Sequence, residues 1–423
     1  MSDDGMHLDR PSASRFALLF IFITMFVDTI GLGIIIPVIP KIIAELTGHN
    51  LPPAQALSEA ARYGGWLFFV YALMQFLCAP LIGNLSDRFG RRPVLILSLL
   101  ALGLDYLLTG LAPSIVWLFV ARILSGAAGA SYSTVNAYIA DVSPPDKRAA
   151  NFGLTGAAFG LGFIVGPAIG GMLGEYGSRL PFFVAAGLSL ANAVFGLLVL
   201  KESLPKEQRR SFELWRANPF GAFKSLSRFP TIVGLFGVVV LMRLAHDANP
   251  AVFNYYTMLK FHWSPRQVGW SLMAVGAMTA IVFGFLTRII IPRIGEERSV
   301  YIGLACAAVG FTGYAFSTEG WMMFAWMVPW AFFGLVSPSL NAIMSKLVGP
   351  NEQGELQGAL AGLSSLTSIV SPPLLTNLFS YFTSASAPIY FPGAAFLAAA
   401  LFLVLAAFAF ARTRHAPVEV PAE

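Results

Sequence analysis

Apolar runs of about twenty residues recur along this chain from Phe16 to Phe410, each long enough to cross ~30 Å of hydrocarbon as a helix. Hydrocarbon offers no water to backbone N–H and C=O groups, so a spanning run must satisfy them internally. Twelve runs are read, near 16–40, 61–85, 93–112, 115–140, 151–174, 180–200, 231–258, 267–291, 299–317, 320–346, 355–380 and 389–411. Charged residues make up only 12% of the 423, roughly half the share of a soluble domain. The first run is too long for a cleavable signal peptide, and no small-residue cleavage site follows it. The expected fold class is an all-α membrane protein of twelve transmembrane helices embedded in a lipid bilayer.

Lys and Arg placement sets the expected orientation. With twelve spans, the termini and the loops after even-numbered spans share one side, which carries twenty of the 27 basic residues. The opposite side carries Lys41, Arg62, Arg179, Lys260 and Arg266. Both termini are therefore expected in the cytoplasm. The net charge of +5 follows from this bias and does not call for a nucleic-acid surface. Cys78 and Cys306 fall in different runs, so neither a disulfide scaffold nor a metal cluster is expected.

One sizeable polar interruption, 201–228, holds seven basic residues, three acidic ones and two prolines. It divides the chain into a six-span half at 1–200, a cytoplasmic linker at 201–228 and a second six-span half at 229–423. The halves echo each other weakly. Gly83…Asp87…Arg91-Arg92 after the second run is matched by Gly284…Arg288…Arg293…Arg298 after the eighth, and Gly166-Pro167 by Ser371-Pro372-Pro373. Paired helical halves are how secondary transporters build a midplane site that opens alternately to each side.

Ionisable residues inside the runs are the candidate chemistry. Asp28 sits in the middle of the first run, where an acid costs about 2.5–3.5 kcal/mol on insertion scales. Such a carboxyl can hold and release a proton as its surroundings change exposure; a salt-bridged structural acid is the competing reading. Pro37 is expected to bend this helix. Asp105 in the third run and Arg122 in the fourth must face the interior or each other, as a proton-coupling pair or a plain structural one. Arg243, His246 and Asp247 in the seventh have the spacing of one helix face. They read as a second proton or substrate element, or as an anchoring patch at a helix end. Asn249 and Pro250 follow, and Pro250 removes a backbone donor. Gln75, Asn136, Asn254, Ser337, Ser339, Asn341 and Gln357 are neutral polar groups for which interhelical contacts are the default. The turn Asp87-Arg88-Phe89-Gly90-Arg91-Arg92 is a candidate latch, with Asp141 a candidate partner of Arg91, because such ion pairs can hold one conformation and break in another. A simple positive-inside anchor would need neither Asp87 nor the glycines.

These stretches carry a resemblance. Gly83-x-Leu85-x-Asp87-Arg88-x-Gly90-Arg91-Arg92 resembles the signature loop between helices two and three of the major facilitator superfamily. Leu118-x3-Arg122-x3-Gly126 is similar to its fourth-helix signature, whose arginine is implicated in proton transfer. Gly153-x8-Gly162-x3-Gly166-Pro167-x2-Gly170-Gly171 resembles the fifth-helix signature of its drug/proton antiporters. Tyr71 to Gln75, Ser86 to Val94, Leu104 to Leu108, Ala158 to Gly162 and Glu352 to Gly358 are similar to the bacterial tetracycline efflux proteins. The resemblance implies the major facilitator fold, two pseudo-symmetric six-helix halves, and a monomeric inner-membrane pump exchanging a cytoplasmic drug for an external proton. It also implies functional positions at Asp28, Gln75, Asp105 and Arg122. Enterobacterial tetracycline pumps carry a histidine in the eighth span and an acid in the ninth; 274–284 and 302–313 here contain neither. Arg243, His246 and Asp247 are the residues available to substitute.

The expected function is thus proton-coupled efflux of tetracycline-like or other small amphipathic drugs. Proton coupling is assigned to Asp28, Asp105, Arg122, His246 and Asp247. Drug contact is assigned to Asp28, Gln75, Asn136, Arg243 and Asn249. Gating is assigned to Asp87, Arg88, Arg91, Arg92, Asp141, Gly162, Gly166, Pro167 and Gly170. No cofactor or metal is expected, and no nucleophile triad or phosphate-binding loop points to an enzyme. A metabolite importer on the same fold is the alternative; a receptor or scaffold fits less well, because ionisable residues are spent inside the spans.

Overall fold

In the computed structural model, residues 11–129, 132–144, 146–211 and 230–413 are described. Arg10, Arg216, Lys224, Arg228 and Arg414, and the linker from 212, lie outside them. Among the described residues, twelve helices are long and apolar enough to span a bilayer: Leu18–Ile35, Pro53–Phe89, Arg91–Leu111, Ile115–Val142, Asn151–Gly174, Leu180–Val199, Ile232–Phe261, Pro265–Ile294, Glu296–Phe316, Gly320–Lys346, Gln353–Thr383 and Ala394–Thr413. They are spans 1 to 12 below. Among the described residues there is no strand.

Proline sets most of the breaks. Pro37 and Pro40 withhold the N–H groups that would have bonded the carbonyls of Gly33 and Ile36. The helix of span 1 accordingly ends at Ile35, and a separate helix, Ile39–Thr47, follows. Span 7 is interrupted at Asp247, between Pro230–His246 and Ala248–Phe261, because Pro250 cannot donate to the carbonyl of His246. Span 10 tightens into a 3₁₀ turn at Phe332–Leu335, just ahead of Pro338. Span 8 contains a π-helical turn, Val282–Leu286.

The two halves echo each other at a backbone level. Gly90 (φ 104°) and Gly295 (φ 85°) occupy the left-handed region immediately before spans 3 and 9. Only glycine takes that conformation without steric cost, and it turns the chain sharply between consecutive helices.

Small residues let the helices touch, which matters in a bilayer where burying apolar surface against protein gains little over lipid. Spans 1 and 5 meet backbone to backbone: a Cβ added to Gly33 would stand 2.9 Å from Gly166 Cα, and one on Gly166 would stand 2.8 Å from the Ile30 carbonyl. Gly162 and Gly170 press on Thr29 and Ile34 of the same helix. Span 5 then meets span 8 through Gly171 against Pro265 and Gly269 against Pro167. Span 2 meets span 11 through Gly65 against Pro373 and Thr376, and through Ser58, whose hydroxyl lies 2.7 Å from that of Thr383. All the contacts of spans 5 and 2 with spans 8 and 11 named here gather at the end of the bundle away from the loops joining spans 2–3 and 8–9. Towards the loop 2–3 end, Gly153, Gly156 and Gly160 of span 5 have nothing within 4 Å of a built Cβ. Large apolar side chains such as Leu97, Leu198, Phe285 and Phe408 face outward, as lipid contact requires.

Replacing Gly166 with Val should destabilise the solubilised protein by about 1–3 kcal/mol, the usual range for overpacking, whereas Gly156→Ala should leave the melting temperature unchanged. Equal melting of the two variants would contradict the close approach of spans 1 and 5.

Candidate functional site

The first cluster sits among spans 1 to 4. Asp105 is fully buried, and its Oδ2 accepts from Arg122 Nη2 at 3.1 Å. The guanidinium cannot lose its proton in a protein, so the pair fixes one permanent positive charge within the membrane. Asp28 is different. It is half-buried, and its Oδ1 is enclosed without a hydrogen-bond partner. It borders a cavity of about 20 Å³ shared with Thr24, Leu99 and Val135, room for one water molecule. Tyr71 and Tyr106 lie close enough to Asp28, Asp105 and Arg122 to interact with all three electrostatically. Gly31 leaves space for the Tyr106 ring, whose Cε2 lies 3.5 Å from a built Cβ.

Gln75 of span 2 donates to the Gly129 carbonyl of span 4 at 3.3 Å. It lines a cavity of about 430 Å³ with Phe76 and Ser133 on one side and Ser364, Ser365 and Ser368 of span 11 on the other. This cavity lies between the two sets of six spans, below the closed end. Asn136 is exposed on span 4 and is not among the residues lining it.

The second cluster gathers at the break in span 7. Asp247 stands between two helices, but its N–H still bonds the Arg243 carbonyl at 3.1 Å, so the face expected for Arg243, His246 and Asp247 carries through the break. Ser371 of span 11 donates to Asp247 Oδ2. His246 Nδ1 lies 3.5 Å from Asp247 Oδ1, and its ring stacks on Phe333 at 5.6 Å. Arg243 Nε and Asn249 Oδ1 are enclosed without hydrogen-bond partners. Arg243 borders a separate cavity of about 40 Å³ with Ser337, Asn341 and Ser364. Arg243, His246 and Asp247 stand together and meet side chains of spans 10 and 11.

The third cluster is the loop between spans 2 and 3. Arg91 pairs with Asp87 at 2.6 Å and with Asp141, at the end of span 4, at 3.3 Å. Its Nη1 also donates to Ser86. Arg92 donates to the Leu197 carbonyl at 2.7 Å, while Arg88 is exposed and lies over the Phe89 ring. Sequence reasoning missed Glu202. Its carboxylate accepts from the backbone N–H groups of Arg91 at 2.8 Å and Arg92 at 3.3 Å, capping span 3 where Gly90 has no side chain to do so. A helix N-terminus leaves its first amides without intrahelical acceptors, so a glycine before a helix was the signal that an acid must arrive from elsewhere. Ser203 donates to Asp141 at 2.9 Å, and Arg210 N–H to the Asp87 carbonyl at 3.2 Å. The start of the linker is thereby strapped across this loop.

Breaking the Asp105–Arg122 pair from one side should cost far more than removing both charges. Arg122→Leu is expected to lose about 3–5 kcal/mol, and Asp105→Asn with Arg122→Leu to regain most of it in denaturant unfolding of the solubilised protein. Additive losses would mean that the pair does not interact.

The profile of the Major Facilitator Superfamily matches residues 21–259 and 235–423. The class C tetracycline resistance protein of Escherichia coli is 38% identical over 391 residues, covering 92% of this chain and 96% of its own. The class G protein of Vibrio anguillarum is 37% identical over 353 residues, 84% and 88% of the two chains. Among solved structures, an inward-facing, unoccupied bacterial homologue of the lysosomal transporter Spinster aligns with a TM-score of 0.73 at 18% identity, over 96% of this chain and 98% of its own.

Proposed function

This chain belongs to the Major Facilitator Superfamily, in company with the tetracycline resistance proteins, and on that premise we propose that it is a proton-coupled antiporter exporting tetracycline-like or other small amphipathic drugs across the bacterial cytoplasmic membrane. The observation that carries this reading is Asp28: a carboxyl inside a spanning helix, beside a water-sized cavity, with an enclosed oxygen that no protein group satisfies. Asp105 also keeps one enclosed oxygen unmet, but its other oxygen is paired with Arg122, whereas Asp28 has no ion pair among the described residues.

The bias of basic residues places both termini and the loop 2–3 end in the cytoplasm. The cavity bordered by Gln75 then opens inward, and the contacts of spans 2 with 11 and 5 with 8 close the outer end. Residues 1–200 and 229–423 are the two rocking units, 201–228 joins them, and one chain suffices. Drug reaches the cavity from the cytoplasm and contacts Gln75 there; Asp28 and Arg243, which border smaller cavities, and Asn136 and Asn249, which do not line it, contact drug once the helices move. Asp28, the Asp105–Arg122 pair and His246–Asp247 hold and pass the proton. Gly162, Gly166, Pro167 and Gly170 let span 5 pivot on span 1, while Asp87, Arg88, Arg91, Arg92 and Asp141 latch the cytoplasmic loop in one state and release it in the other. Inward proton movement supplies about 2.3 kcal/mol per charge per 100 mV.

The test is drug-driven collapse of the pH gradient in everted, respiring membrane vesicles. Addition of tetracycline should collapse the gradient with the parent protein and not with Asp28→Asn. A response only to other amphipathic drugs would keep the exchange and reject tetracycline. Collapse that persists undiminished in Asp28→Asn would remove this residue from proton coupling.

A further inference from the structure

The outer end of the bundle carries a polar joint that neither helix length nor charge explains. Asn254, in the second part of span 7, is 7% accessible, and its Nδ2 donates to the carbonyl of Ile36, the first residue after the helix of span 1, at 2.9 Å. That carbonyl is available because of its own sequence: the helical donor four residues on would be Pro40, which has no N–H. Inside a membrane protein such an acceptor must be met by another group, and Asn254 arrives from the other half of the chain, 218 residues away. The next residue, Tyr255, is 3% exposed and sets its hydroxyl into the space left by the missing side chain of Gly64 in span 2. Two consecutive residues of span 7 thus enter two spans of the first half.

We propose that Asn254 and Tyr255 form a peg that seats in a socket made by the Ile36 carbonyl and Gly64, and that this joint holds the outer end closed. Asn254 is a positioning residue: it contacts neither drug nor proton-carrying group and acts through the balance of the two open states. When the outer end opens, spans 1 and 2 must leave span 7. The Ile36 carbonyl then exchanges the amide for water, and the Tyr255 hydroxyl leaves the Gly64 gap. Loss of the amide makes closure leave a buried acceptor unmet, which favours the outward-open state about tenfold. A side chain at Gly64 expels the peg without touching the hydrogen bond, so the two lesions converge on one outcome by different physics.

This inference rests on alternating access, and the measurement separates the two. Spin labels are placed at His49→Cys and Ser386→Cys, exposed positions at the outer end on opposite halves, in full-length protein lacking Cys78 and Cys306 and reconstituted in lipid nanodiscs. Pulsed dipolar distances are recorded across a pH series. The parent should populate mainly a short distance with a minor longer one. Asn254→Leu and Gly64→Ala should each enlarge the longer population about tenfold, and Asn254→Gln, which retains the donor, should restore part of the parent balance. Distributions in both Asn254→Leu and Gly64→Ala that coincide with the parent's, while the parent itself samples both distances, would overturn the joint and leave alternating access intact. A parent confined to one distance at every pH would overturn both.

Discussion

A polar group inside a bilayer has no solvent to return to, and most of this structure is the consequence of meeting that demand. Arg122 answers Asp105, and Ser371 answers Asp247. Asn254 answers the Ile36 carbonyl. Each pairing draws two or more helices together at a point where packing alone is indifferent, since lipid tails are as apolar as leucine. Asp28 differs from Asp105 and Asp247 in having neither an ion pair nor a side-chain hydrogen bond among the described residues, with Oδ1 enclosed; Arg243 Nε and Asn249 Oδ1 are enclosed and unmet as well.

Glycine supplies the second half of the design. Between spans 1 and 5 it brings backbones into contact over two turns, with Gly33 on Gly166 and Gly162 and Gly170 to either side. Continuing along span 5, Gly171 carries the contact to span 8. The same helix therefore grips its own half and the other half with neighbouring residues. Toward the other end of span 5, Gly153, Gly156 and Gly160 have nothing opposite, so the close contact does not extend to that end. Proline and glycine divide the labour: one frees carbonyls and breaks helices, the other lets the broken pieces approach.

Much of this was legible from the chain. Twelve spans follow from the length of the apolar runs, and the Asp105–Arg122 and Arg91–Asp141 pairs follow from the cost of lone charges. Span 2 begins earlier than its hydropathy indicated, at Pro53 in place of 61, because Gln55, Ser58 and Glu59 interrupt the apolar pattern while Pro53 opens the helix. The grouping of Arg243, His246 and Asp247 on one face was readable, whereas the helix boundary that Pro250 imposes at Asp247 was expected only as a loosening. Asn254 was not readable as the partner of Ile36, because a backbone acceptor has no letter in the sequence; Glu202 meets backbone donors, and only Gly90 ahead of span 3 signalled that they lacked an acceptor.

The strap formed by residues 202–210 has a mechanical meaning. With Glu202 bound to the start of span 3 and Arg210 N–H bound to Asp87, the connector between halves does not begin at the end of span 6. Shortening a tether in this way changes the entropy of joining its ends only slightly, but it changes where force is applied. The described part of the connector is held at the cap of span 3 and at the carbonyl of Asp87, beside the Arg91 ion pairs, so the chain leaves the first six spans from this charged turn and not from the end of span 6.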